Sequence, residues 1–230
     1  LDPLPVGRSL RVRDERGRET FGFRGRAGSP AGEAYSAFED VFRGTEELIE
    51  ARQRVYVELV AGREPVLDVG CGRGEFLDLL REAGVRARGV DVDEGMAARA
   101  RAKGHDVEQA DAVDYLERQP DGSFGAIFSA QVIEHLPYAR LMRFLELCRE
   151  KLVPGGLLVA ETVNPHSVVA FRNFWRDPTH ETPVYPEVAV ALCRIHGFES
   201  AFVQFPRGTG DLDRDLREQD DYAVVATTAS

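Results

Sequence analysis

The residues best suited to chemistry stand together in one short stretch, Val66-Leu67-Asp68-Val69-Gly70-Cys71-Gly72-Arg73-Gly74-Glu75-Phe76. Apolar residues interrupted by one acid predict a buried parallel strand, and three glycines at alternate positions predict a tight turn into a helix. Glycine lacks a Cβ, so its backbone can adopt positive φ and can approach a ligand closely. A ligand at this turn would meet the amide groups of a helix N-terminus. The stretch therefore predicts a ligand-binding turn.

The spacing of the glycines discriminates between kinds of ligand. A dinucleotide fingerprint, G-x-G-x-x-G, that began at Gly70 would need a glycine at position 75, where Glu75 stands. The pattern D-x-G-x-G-x-G resembles instead the first motif of the class I S-adenosylmethionine-dependent methyltransferases. This resemblance implies S-adenosylmethionine as the cofactor, with contacts from the residues of the turn, namely Asp68, Gly70, Cys71, Gly72 and Gly74.

Strand and helix patterns alternate beyond this turn, which predicts a parallel sheet with right-handed crossovers. Strands are expected at residues 66–69, 85–92 and 105–109, from residue 124 onward and at residues 157–161. Two later strands, at residues 199–206 and 221–228, are expected to form an antiparallel hairpin. The sequence therefore predicts an α/β, Rossmann-like class I methyltransferase fold. Its sheet would be seven-stranded and mostly parallel, with a final antiparallel hairpin and helices on both faces.

Ligands of such sheets bind at the carboxyl ends of the strands. Asp91 ends the second strand, where a carboxylate suits two ribose hydroxyls, although a simple helix cap is the alternative. In the methyltransferases that the chain resembles, an acid after the third strand accepts from the exocyclic amine of adenine, and Asp111 matches it. We expect further cofactor contacts from neighbouring residues at these strand ends, namely Val92, Ala112, Ser129, Ala130 and Gln131.

The residues before the first strand predict three segments. Residues 1–32 are expected to form an arginine-rich arm or a small hairpin, and residues 33–62 a helical lid, as in related methyltransferases. Residues 63–230 would form the cofactor-binding catalytic domain, with a substrate loop at residues 162–183. Arg43 is a candidate for the methionine carboxylate, because a guanidinium can pair with a carboxylate in a bidentate fork. A surface salt bridge is the alternative for this arginine.

Methylation of a hydroxyl requires a base, and histidine has an unperturbed pKa close to working pH. Residues 177–183 resemble a "D-P-T-H-x-x-P" run of methyltransferases that assemble cell-surface polysaccharides, which makes His180 the candidate base. The fourth strand ends in Glu134-His135-Leu136, which resembles the "E-H-L" of ubiquinone-type O-methyltransferases. His135 and Glu134 are therefore further catalytic candidates. A histidine that only bonds the backbone is the alternative for His180. No metal site is predicted, since no spacing requires one, although a metal held by His135, His180 and a carboxylate stays an open alternative.

The loop at residues 162–183 suggests the acceptor, because long loops inside compact domains are usually functional. Asn164, Arg172 and Trp175 are candidate substrate contacts: the indole could stack on a sugar face and the guanidinium could hold a phosphate. We therefore expect a small-molecule or glycan acceptor and O-methylation of a sugar or polysaccharide intermediate. Alternatives are a quinol or amine acceptor, or a regulatory domain that binds the cofactor without turnover.

Composition limits the binding partners and the cellular location that we expect for the protein. A formal net charge of −10 over 230 residues argues against binding to nucleic acid through phosphate neutralisation. The three cysteines are far apart, which indicates neither a disulfide framework nor a zinc site. No apolar run approaches the ~20 residues of a membrane span. These features predict a cytoplasmic protein without an integral membrane segment.

Overall fold

A computed structural model describes residues 9–13, 19–24 and 45–230 of the protein. The chain divides into two compact units, residues 1–43 and residues 44–230. In the first unit, β1 (Ser9–Arg13) and β2 (Glu19–Arg24) form an antiparallel hairpin. Arg43 and the first helix of the predicted lid lie outside the described residues. The division into an arm, a lid and a catalytic domain stays a prediction.

The second unit is built on one seven-stranded sheet with the order β5-β4-β3-β6-β7-β9-β8. The five strands from β5 to β7 are parallel, whereas β9 runs antiparallel to both β7 and β8. This confirms the predicted Rossmann-like sheet with an antiparallel end. The strands are β3 (Val66–Val69), β4 (Ala87–Asp91), β5 (Val107–Gln109), β6 (Phe124–Ala130), β7 (Leu152–Val163), β8 (Ser200–Gln204) and β9 (Asp221–Thr227).

Helices alternate with the strands of the sheet, and several of them begin at a side-chain cap of a residue type that favours this position. Thr45 accepts from the Leu48 amide (3.4 Å) and Asp93 accepts from the Met96 amide (2.9 Å), as helix N-caps do. The α-helices are α1 (Glu46–Val60), α2 (Glu75–Glu82), α3 (Glu94–Ala102), α4 (Ala112–Glu117), α5 (Tyr138–Lys151), α6 (Val168–Phe174), α7 (Pro186–Ile195) and α8 (Leu212–Glu218). A 3₁₀ turn covers Ile133–His135.

Side chains of the central strands contribute alternately to two hydrophobic cores, one on each face of the sheet, because successive residues of a strand point to opposite faces. Phe128 of β6 and Val159 of β7 pack with α1 and α2, whereas their neighbours Ile127 and Leu158 pack with α4, α5 and α7. Helices therefore cover both faces, as predicted. The carboxyl ends of the strands stay available for a site. Within the described residues, no helix is long and apolar enough to cross a membrane.

Two segments differ locally from what their sequences predict. The helical period of residues 45–60 predicts an apolar stripe that includes Leu48 and Val55, but both are exposed, whereas Gln53 is buried. The charged residues 207–220 are predicted to form a solvated excursion; most of them are exposed, but they also contain α8 and the buried carboxylate of Asp215. This carboxylate accepts from the amides of Thr209 (2.8 Å) and Gly210 (3.1 Å), so its burial is compensated by hydrogen bonds.

Candidate functional site

The glycine turn between β3 and α2 has the backbone conformation that its sequence predicts. Gly70, Gly72 and Gly74 have φ values of 70°, 56° and 86°, which L-residues rarely adopt. The Gly70 amide donates to the Val90 carbonyl at 2.8 Å. A Cβ built on Gly70 would lie 2.3 Å from Cγ2 of Val132, which follows β6. The turn is therefore packed directly against the chain beyond the neighbouring strand.

Gly70→Ala is expected to destabilise the fold by about 3 kcal/mol. Positive φ alone costs an L-residue roughly 1–2 kcal/mol, and forcing a methyl group into packed structure adds roughly 1–3 kcal/mol. Gly62→Ala is a matched control, because Gly62 has a φ of 76° but no atom within 4 Å of an added Cβ. Urea denaturation should show a smaller loss for this control. Equal losses in the two variants would contradict the packing argument.

Asp91 links the end of β4 to the glycine turn. Its Oδ2 accepts from the Gly72 amide (2.8 Å) and its Oδ1 accepts from the Asp93 amide (2.9 Å), and the residue is only 8% exposed. A carboxylate offers about four acceptor sites, so an acid that holds two amides can also accept from ribose hydroxyls. Beside it, the side chain of Val92 is 64% exposed and offers an apolar contact for a base. These groups fit an adenosine-containing cofactor.

Asp111 occupies the N-cap of α4. Its Oδ1 accepts from the amides of Val113 (2.8 Å) and Asp114 (3.1 Å), and the Arg140 guanidinium also donates to this oxygen. The sequence analysis did not include Arg140, because its partner is on a different helix. Capping accounts for the position of this carboxylate without a ligand, and the predicted contact with adenine stays a prediction.

The end of β6 combines buried residues with one unusual backbone conformation. Ser129 is fully buried and Ala130 is 4% exposed, so a ligand would meet their main chain rather than their side chains. Asp68 of β3 and Cys71 of the glycine turn are buried in the same way. Gln131 directly follows β6 and has a φ of 57°. The chain therefore bends sharply where β6 passes into the 3₁₀ turn.

His135 and His180 lie side by side, with ring centroids 4.6 Å apart. Nδ1 of His180 is 2.7 Å from the Phe174 carbonyl, which can only accept, so this nitrogen is the donor. The Thr179 hydroxyl donates to the Asp177 carboxylate (2.6 Å) and therefore accepts from Nδ1 of His135 (3.0 Å). In both neutral rings Nε2 is then the basic nitrogen. Hydrogen bonds thus fix the tautomer of each histidine.

Glu134 completes this cluster. One ligand atom from each of Glu134, His135 and His180 lies within 4.8 Å of the others, so the structure brings together the three residues that the sequence proposed for catalysis. Glu134 is fully buried, and burial raises the pKa of its carboxyl to about 8. Imidazole nitrogens and a carboxylate are also common ligands of divalent cations, so this cluster could hold a metal ion.

The raised pKa of Glu134 predicts how stability depends on pH. Because the folded-state pKa, about 8, lies above the ordinary value of 4.5, this carboxyl contributes stability that is present below pH 4.5 and lost as the pH rises to 8. At about 1.4 kcal/mol per pKa unit, the contribution is on the order of 5 kcal/mol. Glu134→Gln should flatten the fall in unfolding free energy between pH 5 and pH 8.5. An unchanged slope would contradict the assignment.

The sequence analysis missed a polar network on the other face of the sheet. Tyr56 donates its hydroxyl to Oε2 of Glu161 (2.5 Å), and the Gln131 amide donates to Oε1 of Glu161 (3.3 Å) and to Oδ1 of Asp221 (3.2 Å). Burial, reinforced by the charge of Asp221, raises the pKa of Glu161 to about 7. The signal for this network in the sequence is Glu161, an acid that directly follows the apolar residues 157–160 of a buried strand.

The proposed substrate contacts occupy different environments. Trp175 is 58% exposed and lies edge-on to Phe174 (5.0 Å between centroids), and Arg172 is also exposed. Asn164 is different, because it is fully buried and its amide donates to the carbonyls of Leu216 and Gln219, both at 2.8 Å. A substrate contact would have to break these bonds. We therefore assign Asn164 to anchoring the segment around α8.

Comparisons with known proteins agree with this geometry. Residues 67–160 match the family model described as "Methyltransferase domain". A SAM dependent methyltransferase of known structure from Archaeoglobus fulgidus is 34% identical; the match covers 84% of this chain and 99% of that one, with a TM-score of 0.77. The ubiquinone biosynthesis O-methyltransferase of Nitrosococcus oceani is 30% identical, over 69% of this chain and 59% of that protein.

A probable S-adenosylmethionine-dependent methyltransferase of Mycolicibacterium smegmatis is 32% identical over 60% of this chain. The chain spans 59% and 53% of the lengths of the Nitrosococcus and Mycolicibacterium relatives, respectively. The likeness to these two proteins therefore does not extend over their whole lengths.

Proposed function

This chain belongs to the S-adenosylmethionine-dependent methyltransferases, and we propose that it methylates a hydroxyl group of a sugar or a polysaccharide intermediate. The cofactor of the family supplies a methyl group that its sulfonium already activates. The observation that carries the proposal is the fixed tautomer of His180, whose Nδ1 is committed to the Phe174 carbonyl at 2.7 Å. Nε2 is then the unprotonated nitrogen of the neutral ring. Methylation of a hydroxyl group needs such a nitrogen to remove the hydroxyl proton.

In this proposal the protein aligns the acceptor and removes its proton. Nε2 of His180 would accept the proton that the hydroxyl group loses when it is methylated, as a general base does. His135 lies against the same ring at 4.6 Å and is itself oriented by Thr179, so we assign it an orienting or second catalytic role. Glu134 lies buried beside the two imidazoles, and we assign it to the same catalytic cluster as their third member.

Exposed groups of the 162–183 loop support a sugar acceptor. The indole of Trp175 is 58% exposed and offers a flat apolar face, and the exposed guanidinium of Arg172 can pair with a phosphate. The net charge of −10 favours a small-molecule or glycan acceptor over nucleic acid. We also propose a cytoplasmic location, which the three buried cysteines without a disulfide support.

A quinol acceptor is the second candidate, because relatives over the same segment are named ubiquinone biosynthesis O-methyltransferases. A labelled-methyl assay with nucleotide sugars and lipid-linked sugars on one side, and catechol-type quinols on the other, separates the two. Transfer to a sugar hydroxyl supports the first proposal, whereas transfer to quinols alone overturns it. A phenol is more acidic than a sugar hydroxyl and depends less on a base. Loss of His180 should therefore reduce the methylation of a quinol less than the methylation of a sugar.

A further inference from the structure

Gln131 marks the point where β6 bends into the turn that carries Glu134 and His135. It is the one non-glycine residue with positive φ (57°) in the part of the chain that the structure describes. An L-residue is strained in this conformation, so surrounding contacts must stabilise it. Whatever holds Gln131 also sets the direction in which the 3₁₀ turn leaves the sheet.

Hydrogen bonds fix both the backbone and the side chain of Gln131. Its backbone N–H donates to the Glu161 carbonyl at 3.0 Å. Its side-chain Nε2 donates to Oε1 of Glu161 (3.3 Å) and to Oδ1 of Asp221 (3.2 Å). An amide nitrogen has two N–H groups, so Gln131 donates one to each of the two carboxyl groups. The side chain therefore has a single favourable orientation, with nitrogen toward the two acids.

The two acids are held in turn from other elements. Oε2 of Glu161 accepts from the hydroxyl of Tyr56, which is fully buried on α1. Two charged groups face both acids, namely Arg52 of α1 and Glu134. Asp221 is also faced by Arg207 and Asp220. The bend at Gln131 is thus tied to α1, to β7 and to β9.

We propose that Glu161 and Asp221 are positioning residues for methyl transfer, which act through Gln131 to hold the bend that places Glu134 and His135. The inference rests on the proposed function for its kinetic consequence only. The side chains of Glu161 and Asp221 lie on the α1 face of the sheet, and they reach the histidine pair through the backbone at residues 131–135. Loss of either acid releases the bend without removing a group that contacts the acceptor.

The first test follows His135 itself and needs no acceptor. In ¹H–¹⁵N spectra of the imidazoles in the full chain, Glu161→Leu and Gln131→Met should shift the His135 resonances. His105 is the internal control, because its hydrogen-bond partner is Asp78 of α2 (2.8 Å) and not a residue of the 131–135 turn. Glu161→Gln should leave His135 unshifted, since an amide oxygen can still accept from Gln131. Unchanged His135 signals in Glu161→Leu and Gln131→Met would overturn the proposal.

The second test separates positioning from binding. We expect Glu161→Leu and Gln131→Met each to lower kcat by 10-fold or more, and in Glu161→Leu the Kd of S-adenosylhomocysteine should change less than 3-fold. The double variant should lose no more than the worse single variant, because both changes release the same bend. Independent, multiplying losses would overturn the proposal, as would an unchanged kcat. If the wild type methylates no tested acceptor, the proposed function fails while the imidazole spectra still decide this inference.

Discussion

Asp91→Ala is expected to weaken the binding of S-adenosylhomocysteine by about 100-fold or more in calorimetric titrations. A hydrogen bond to a charged group contributes about 1.5–3 kcal/mol, and the ribose offers two hydroxyls to this carboxylate. The variant also leaves the Gly72 amide, now bonded at 2.8 Å, without its acceptor, so the glycine turn loses an anchor. Both effects weaken the same ligand, which makes this the largest expected loss of affinity.

Asp106→Ala is the matched control for this substitution. Asp106 lies just before β5, is exposed and pairs with Arg88 at 2.8 Å, away from the glycine turn. Surface ion pairs contribute little, so its affinity for S-adenosylhomocysteine should stay within about 2-fold of the wild type. Asp91→Asn should lie between wild type and Asp91→Ala, because an amide oxygen keeps part of the acceptor capacity. Similar affinities for Asp91→Ala and Asp106→Ala would remove Asp91 from the cofactor site.

His180→Ala is expected to lower kcat by about 100-fold or more, with little change in cofactor affinity. General base catalysis typically contributes 10²–10⁴-fold, and the removed ring carries the nitrogen assigned to proton removal. His166→Ala is the control, because His166 follows β7 in the same loop but pairs with Glu187 at 2.9 Å. That variant should keep most of the activity. Equal losses in the two variants would indicate a general effect on the loop rather than the loss of a base.

A chelation experiment separates base catalysis from metal catalysis at the same three side chains. Under the base mechanism, EDTA leaves the rate unchanged and added imidazole partly restores His180→Ala. Loss of wild-type activity on chelation, recovered with a divalent cation, would instead assign Glu134, His135 and His180 to metal binding. Either result keeps the methyltransferase assignment and changes only the route by which the hydroxyl proton leaves.

The sequence predicted those parts of the fold that short-range patterns determine. The strand, turn and helix around Gly70 follow from local apolar and glycine spacing, and the caps Thr45 and Asp93 follow from residue type. The carboxyl ends of the strands had to meet at one edge, because all the crossovers join parallel strands. These rules brought the glycine turn and Asp91 together, and the structure joins them through the Gly72 amide.

Contacts between distant segments were beyond this kind of prediction. Tyr56 and Glu161 are 105 positions apart, and a helical period does not show that a tyrosine hydroxyl will meet a carboxylate. Helical periodicity also predicts that Leu48 is buried and Gln53 is exposed, but the structure shows the reverse. The tautomer of His135 depends on Thr179, 44 positions away, and on the carboxylate that orients that hydroxyl. Such features depend on tertiary partners, which the sequence does not specify locally.

The central claim is that the cleft around Gly70 to Gly74 and Asp91 binds S-adenosylmethionine. Calorimetric titration of the wild-type chain with S-adenosylhomocysteine tests it most directly, with NAD⁺ titrated in parallel. We predict saturable binding of S-adenosylhomocysteine at one site per chain and no binding of NAD⁺, because Glu75 stands where a dinucleotide turn needs its third glycine. Absence of S-adenosylhomocysteine binding, or tighter binding of NAD⁺, would contradict the account.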